Sequence, residues 1–93
     1  MGPEKKIETQ IRKWLKMNGF YCWKNHGSQF TLSGMPDLMA VKDGRLFCIE
    51  VKATGKRATE LQRSRLETLR GYGAIAFEAD SLDIVADRLE DYV

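Results

Sequence analysis

The sequence predicts an α/β domain, a mixed sheet flanked by helices in the order α-β-β-β-α-β-α. Three observations predict it. Apolar residues recur at helical spacing near both ends, as Ile7, Ile11, Trp14 and Leu15, and as Leu82, Val85, Ala86, Leu89 and Tyr92. Two apolar runs, Leu38 to Val41 and Leu46 to Val51, flank an Asp43-Gly44 pair, and Asp-Gly between strand-like runs is the strongest short-range hairpin signal. Finally, the apolar run Ala74 to Phe77 follows a helical stretch, the mark of a parallel crossover.

The first helix runs from Glu4 to Asn18, with Pro3 suited to its first turn and Gly19 to its C-terminal cap. Glu8 borders its apolar stripe, so its carboxylate either points inward to a site on the sheet or is solvated. Phe20 to Lys24 is short and rich in strand formers. Asn25 to Gly34 lacks periodicity and reads as a loop leading into Pro36-Asp37. The hairpin follows, then a turn, Ala53 to Ala58, carrying Lys56 and Arg57. Thr59 is a good N-cap for a helix from Glu60 to Gly71, whose inward sector would take Gln62, Leu66, Leu69 and Gly73. An amide on an inward face needs partners, so Gln62 is either satisfied by backbone or reaches towards a site at the strand ends. Ser81 caps an extra C-terminal helix whose outer face is acidic.

Ninety-three residues, 43% of them hydrophobic, make one small globular domain, expected to span residues 1–93. No apolar run approaches the ~20 residues of a membrane span, and the polar N-terminus is not a secretory signal. Cys22 and Cys48 form no CxxC pair and His26 is the only histidine, so a structural zinc site is excluded. The cysteines read as core residues of a reducing compartment, which points to a cytoplasmic protein. Residues 1–77 hold 14 Lys and Arg against 7 Asp and Glu, whereas residues 78–93 hold 1 against 6. A basic body with an acidic tail suits a polyanion approached from one side.

Within the hairpin, pairing Lys42 with Arg45 and counting outwards places Asp37 opposite Glu50. Directly opposed residues on antiparallel strands have Cβ atoms roughly 4.5–5.5 Å apart, and like charges there repel. Two carboxylates held so require a cation between them. Lys52 lies two residues beyond Glu50, on the same face, and the carbonyl of Val51 between them offers a further oxygen. Paired carboxylates are hard ligands suited to Mg²⁺ or Mn²⁺. Such a metal activates a water and holds a phosphoryl oxygen while Lys52 offsets developing charge, which fits phosphodiester hydrolysis. Lys24, His26, Ser28, Lys56, Arg57 and Arg63 are the candidate DNA contacts.

Gly34-Met35-Pro36-Asp37, Glu50-Val51-Lys52 and then Gln62 resemble the motifs of the virus-type replication-repair nuclease (VRR-NUC) family, in the PD-(D/E)xK nuclease superfamily. The resemblance runs from Glu8 to about Phe77 and implies a restriction-endonuclease-like αβββαβ core. It also implies that Asp37 and Glu50 bind metal, with Glu8 as the first-helix acid joining them as a metal ligand, that Lys52 is the catalytic lysine and that Gln62, the glutamine after it, is a catalytic residue. Stand-alone members are similar to Holliday-junction resolvases, two-fold dimers acting on branched DNA. The expected activity is therefore a Mg²⁺/Mn²⁺-dependent, structure-selective DNA endonuclease working as a homodimer. Alternatives are a nicking, flap-cutting or restriction-like nuclease, or a non-catalytic DNA-binding or dimerisation module. The exposed members among Trp14, Trp23, Phe30 and Tyr72 are candidates for a dimer surface.

Overall fold

The computed structural model describes residues 1–27 and 32–93. Its elements are α1 (Pro3–Met17), β1 (Tyr21–Lys24), β2 (Leu38–Lys42), β3 (Arg45–Val51), α2 (Glu60–Gly71), β4 (Ile75–Ala79), α3 (Leu82–Arg88) and a closing 3-10 turn, Glu90–Tyr92. The strands form one sheet in the order β1-β2-β3-β4, antiparallel except for the parallel β3–β4 pair. The expected mixed sheet with its crossover helix is therefore present.

The hairpin turn explains the register. Asp43 and Gly44 both have positive φ, 51° and 77°, as a type I′ turn demands. Lys42 pairs with Arg45 and Leu38 with Ile49. One residue further out, the same count sets Asp37 opposite Glu50, just where β2 begins.

Alternation along the strands divides the core into two layers. One face of the sheet carries Leu38, Ala40, Phe47, Ile49, Val51, Phe77 and Ala79, packed against Ile11 and Leu15 of α1 and Val85 and Leu89 at the C-terminal end. Phe47 sits edge-on to both Phe20, at 5.0 Å, and Tyr92, at 5.2 Å. Burying each such ring removes about 1.5–3 kcal/mol worth of apolar surface from water. The other face carries Cys48 and Ala76 beneath Leu66 and Leu69 of α2. Asp37 and Glu50, alternating with Leu38 and Ile49, belong to this second face.

The structure departs from the sequence reading at three places. β4 continues past Phe77 to Ala79 and brings Glu78 into the sheet as the register partner of Glu50. Hydropathy ends the strand at Phe77, but the parallel ladder with β3 continues through Glu78 and Ala79, and the Glu78 carboxylate accepts a hydrogen bond from Ala58 N–H at 2.7 Å. On α2, Gln62 does not pack inward. Its Oε1 accepts from Thr59 N–H and its own N–H donates to Thr59 Oγ1, a complete capping box. Gly73 is exposed, at φ 99°, just past the helix end. Lastly, α3 is short, and the chain tightens into the 3-10 turn at Leu89.

Gly34 shows how the loop before Asp37 is held. Its φ is 80°, and a Cβ placed there would lie 2.7 Å from Leu61 Cγ on α2. Arg65 Nε donates to Ser33 O at 2.9 Å beside it. Only glycine permits both the conformation and the approach. Gly44 has the same sign of φ but open space around it. Gly34→Ala should therefore destabilise the chain by about 2–4 kcal/mol, and Gly44→Ala by about 1–2 kcal/mol. Urea unfolding of the two variants checks this, and equal losses would contradict the Leu61 contact.

Candidate active site

The site is assembled where β2 begins and β3 ends. Asn25, just beyond β1, fixes the backbone: its N–H donates to Asp37 O at 2.8 Å and its Nδ2 to Pro36 O at 2.8 Å. Pro36, buried and with its φ locked, leads directly into Asp37. The Asp37 Oδ2 accepts from Val51 N–H at 2.8 Å. The Val51 backbone therefore faces Asp37, and in an extended strand the carbonyl of a residue lies on the same edge as its N–H.

Glu50 is 1% exposed. Its Oε2 lies 3.5 Å from Lys52 Nζ. Its Oε1 is fully buried and has no hydrogen-bond partner among the described residues. Burial, then the hydrogen bond and charge of Asp37, push its carboxyl up to about 8, against the smaller opposing pull of Lys52. Two ionised carboxylates cannot satisfy each other; a shared proton or a shared cation can. The pair is held as one unit, and Lys52 alone does not neutralise it.

Glu8 is placed differently. It is buried, but on the α1 side, and its Oε1 lies 2.8 Å from Lys24 Nζ. Lys5 at 3.4 Å and Arg12 at 4.0 Å also surround it. Burial pushes its carboxyl up, yet Lys24 and Lys5 outweigh burial and hold it below the usual range. The Lys24 ammonium is held above its ordinary value, first by the hydrogen bond to Glu8 and in smaller part by the charge of Asp37. Among the described residues no group of three His, Cys, Asp or Glu side chains converges. The structure thus brings Asp37, Glu50, Val51 and Lys52 together, with Lys24 paired to Glu8 and within electrostatic reach of Asp37, while Gln62 caps α2.

Of the candidate DNA contacts, His26 borders a cavity of about 620 Å³ also lined by Trp23, Asn25, Ser33, Met35 and Asp37. Lys56, Arg57 and Arg63 are exposed, the last two beside Glu78 of β4. Ser28 lies outside the described residues, as does Phe30. Trp14 is half-buried against the core, whereas Trp23 and Tyr72 are exposed. Both cysteines are free, and burial pushes the Cys48 thiol up to about 11, so it is an inert core group. No helix among the described residues is long and apolar enough to cross a membrane.

Comparison with known proteins agrees with this fold. The family model for archaeal Holliday junction resolvase (Hjc) matches residues 4–88. The chain belongs to that nuclease family. A solved VRR_NUC domain protein is 25% identical, with a TM-score of 0.80 over 98% of this chain and 88% of its own. A second VRR_NUC domain, 24% identical, has a TM-score of 0.84 over the whole of both chains and shares the fold. The Hjc of Archaeoglobus fulgidus, described as a Holliday junction resolvase from an archaeal hyperthermophile, is 25% identical with a TM-score of 0.64, over 81% of this chain and 65% of that one. No curated protein sequence matches the chain. The VRR-NUC resemblance and the Hjc-family match agree on one domain type.

The sign of the Glu50 effect on stability is fixed by its direction. A carboxyl raised from 4.5 to about 8 on folding holds its proton more tightly in the folded state. Its contribution is fully present below the unfolded value and is lost as pH rises through the folded one. Between pH 5 and pH 8 the metal-free protein should therefore lose stability, on the order of a few kcal/mol. Glu50→Gln, which cannot ionise, should flatten that slope and be the more stable protein at pH 8. Urea titrations at several pH values in EDTA measure this; a steeper slope in the variant would contradict it.

Proposed function

We propose that this chain is a Mg²⁺- or Mn²⁺-dependent DNA endonuclease selective for branched structures, with the four-way junction as its principal substrate, and that it acts as a homodimer. The carrying observation is the Asp37–Glu50 pair: opposed carboxylates with an unpartnered buried oxygen and one lysine 3.5 Å away. Membership of the Hjc family supports the substrate.

The residues suit such a metal. Mg²⁺ takes one or two carboxylates and keeps waters for the rest of its shell, and Asp37, Glu50 and the Val51 carbonyl would hold it. When bound, the metal polarises the phosphoryl oxygen and lowers the pKa of a coordinated water. Glu50 must give up its proton for binding, which burial otherwise favours keeping. Lys52, freed of half its duty to Glu50, holds the attacking water by hydrogen bond and offsets the charge that develops on the phosphate. Asp37 is kept in one orientation by Val51 N–H, so little is lost in reorganisation on binding. Glu8 acts on this site through Lys24, which it holds at 2.8 Å and whose charge reaches Asp37. Gln62 sets the start of α2 beside the site. Lys24, His26, Ser28, Lys56, Arg57 and Arg63 are proposed to meet the DNA.

Dimerisation rests on the substrate: symmetric cleavage of a junction needs two active sites in one two-fold assembly. Exposed Trp23 and Tyr72 are available to it. A non-catalytic binding module is disfavoured, because burying Glu50 with an unpartnered oxygen weakens a domain that gains nothing from it.

Asp37→Ala, Glu50→Ala and Lys52→Ala should each lower metal-dependent cleavage of a four-way junction at least about a hundredfold, with the circular dichroism spectrum preserved. Full activity in Asp37→Ala would sink the proposal. Rates on a junction, a flap and plain duplex at equal salt test selectivity, and equal rates would reduce the reading to a general nuclease. Light scattering gives the mass, which a dimer doubles.

A further inference from the structure

Glu78 was no part of the site read from the sequence, yet the fold places it on the next strand, in register with Glu50 and on the same face. Its Oε2 accepts from Ala58 N–H at 2.7 Å. Its Oε1 lies 3.6 Å from Arg57 Nη2 and 3.7 Å from Arg63 Nε. Two residues on, Asp80 Oδ2 accepts from Gly55 N–H at 2.9 Å, and Asp80 O accepts from Thr54 Oγ1 at 3.1 Å. The basic turn that follows Lys52 is thus pinned to the end of β4 at three points.

The geometry points to a second phosphate-binding site, formed by Arg57 and Arg63 and held in place by Glu78 as a positioning residue. The inference rests on the DNA-cleaving reading of the Asp37–Glu50 pair and extends it to the neighbouring phosphate of the same strand. Each guanidinium carries five donors, and Glu78 engages one edge of each at ion-pair distance. The Arg57 and Arg63 side chains are 73% and 50% exposed, so their remaining donors face solvent. Exposed ion pairs contribute little stability, so holding two arginines on one carboxylate is poorly explained as a folding device. It is well explained as orientation. A fixed pair of forks binds a phosphate with less loss of side-chain freedom than two free ones. Glu78 also keeps the two like charges from spreading apart, beside a site where a DNA backbone would pass.

Binding measured in EDTA tests this apart from cleavage. The probes are a fluorescent four-way DNA junction and a linear duplex of the same sequence, with the full chain. Arg57→Ala and Arg63→Ala, both at exposed side chains that leave the core untouched, should each weaken binding about threefold to tenfold and lower the salt slope by about one. Glu78→Gln keeps an oxygen for Ala58 N–H, so its melting temperature should stay within about 3 °C of the parent. It also removes a negative charge, so a bystander Glu78 would give equal or tighter binding. As a positioning residue it gives binding weakened about threefold. Combined with Arg57→Ala, it adds less than its separate effect. Unchanged or tighter binding in Glu78→Gln, additivity with Arg57→Ala, or arginine variants that bind like the parent would each overturn the inference. Should Glu78→Gln fail to fold, the salt slopes of the arginine variants decide it. A chain that binds as expected but never cleaves with Mg²⁺ or Mn²⁺ refutes the nuclease reading and leaves the clamp standing.

Discussion

The constraint on which the rest depends is the register of the β2–β3 hairpin. It is set by two backbone conformations, the positive φ of Asp43 and of Gly44. From them follow Lys42 opposite Arg45, Leu38 opposite Ile49 and the juxtaposition of Asp37 with Glu50. A slip of one residue would turn every side chain of one strand to the other face. Leu38 and Ala40 would leave the core, and Asp37 would lose Val51 N–H. Core burial and site geometry therefore enforce the same register. The hydrophobic layer under α1 is what holds two mutually repelling carboxylates together.

That arrangement is unfavourable by itself, and the surrounding charges show how the chain limits the loss. Glu8 has Lys24, Lys5 and Arg12. Glu78 has Arg57, Arg63 and a backbone N–H. Asp37 has Val51 N–H. Among these acids Glu50 is the most buried and the least served, with Lys52 alone at 3.5 Å and one oxygen with no partner among the described residues. A chain able to give every other acid of this region a donor leaves this one short. That deficit is what supports the proposed metal site, where a cation from solvent would complete what the fold omits.

Much of this was legible in the sequence because it depends on local rules. The Asp-Gly turn fixes its own pairing, strand alternation fixes faces, and Pro36 with Asp37 marks the start of β2. What was not legible depends on partners distant in the chain. Glu78 read as the beginning of an acidic tail, since hydropathy ends the strand at Phe77; its pairing with Glu50 on β3 and its contact with Ala58, 20 residues away, both join segments distant in the chain. Glu8 read as either buried or solvated, and the choice was made by Lys24 on a strand that folds back over α1. For Gln62, angular position on the helix suggested an inward side chain. Its place three residues after Thr59 was the stronger signal, because a capping box satisfies two helix N–H groups at once and needs nothing from the core.

The placement of these charges relative to the sheet gives the site its direction. Glu8 and Lys24 lie on the α1 side, while Glu50, Lys52, Glu78, Arg57 and Arg63 belong to the α2 side. Asp37, at the strand end, touches both: its carboxylate takes Val51 N–H from one side and feels the Lys24 ammonium from the other. A phosphodiester strand laid across the ends of β2, β3 and β4 would meet Lys24, then the carboxylate pair with Lys52, then the arginines braced by Glu78. Positive groups lie at both ends of that line and the Asp37–Glu50 pair with Lys52 at its middle. On the proposed reading such an order would attract a polyanion at both ends and leave the carboxylate pair at the middle to a cation. Binding and chemistry would then be separated: the flanking groups would hold the backbone, and Asp37, Glu50 and the Val51 carbonyl would hold the cation against which the scissile phosphate is placed.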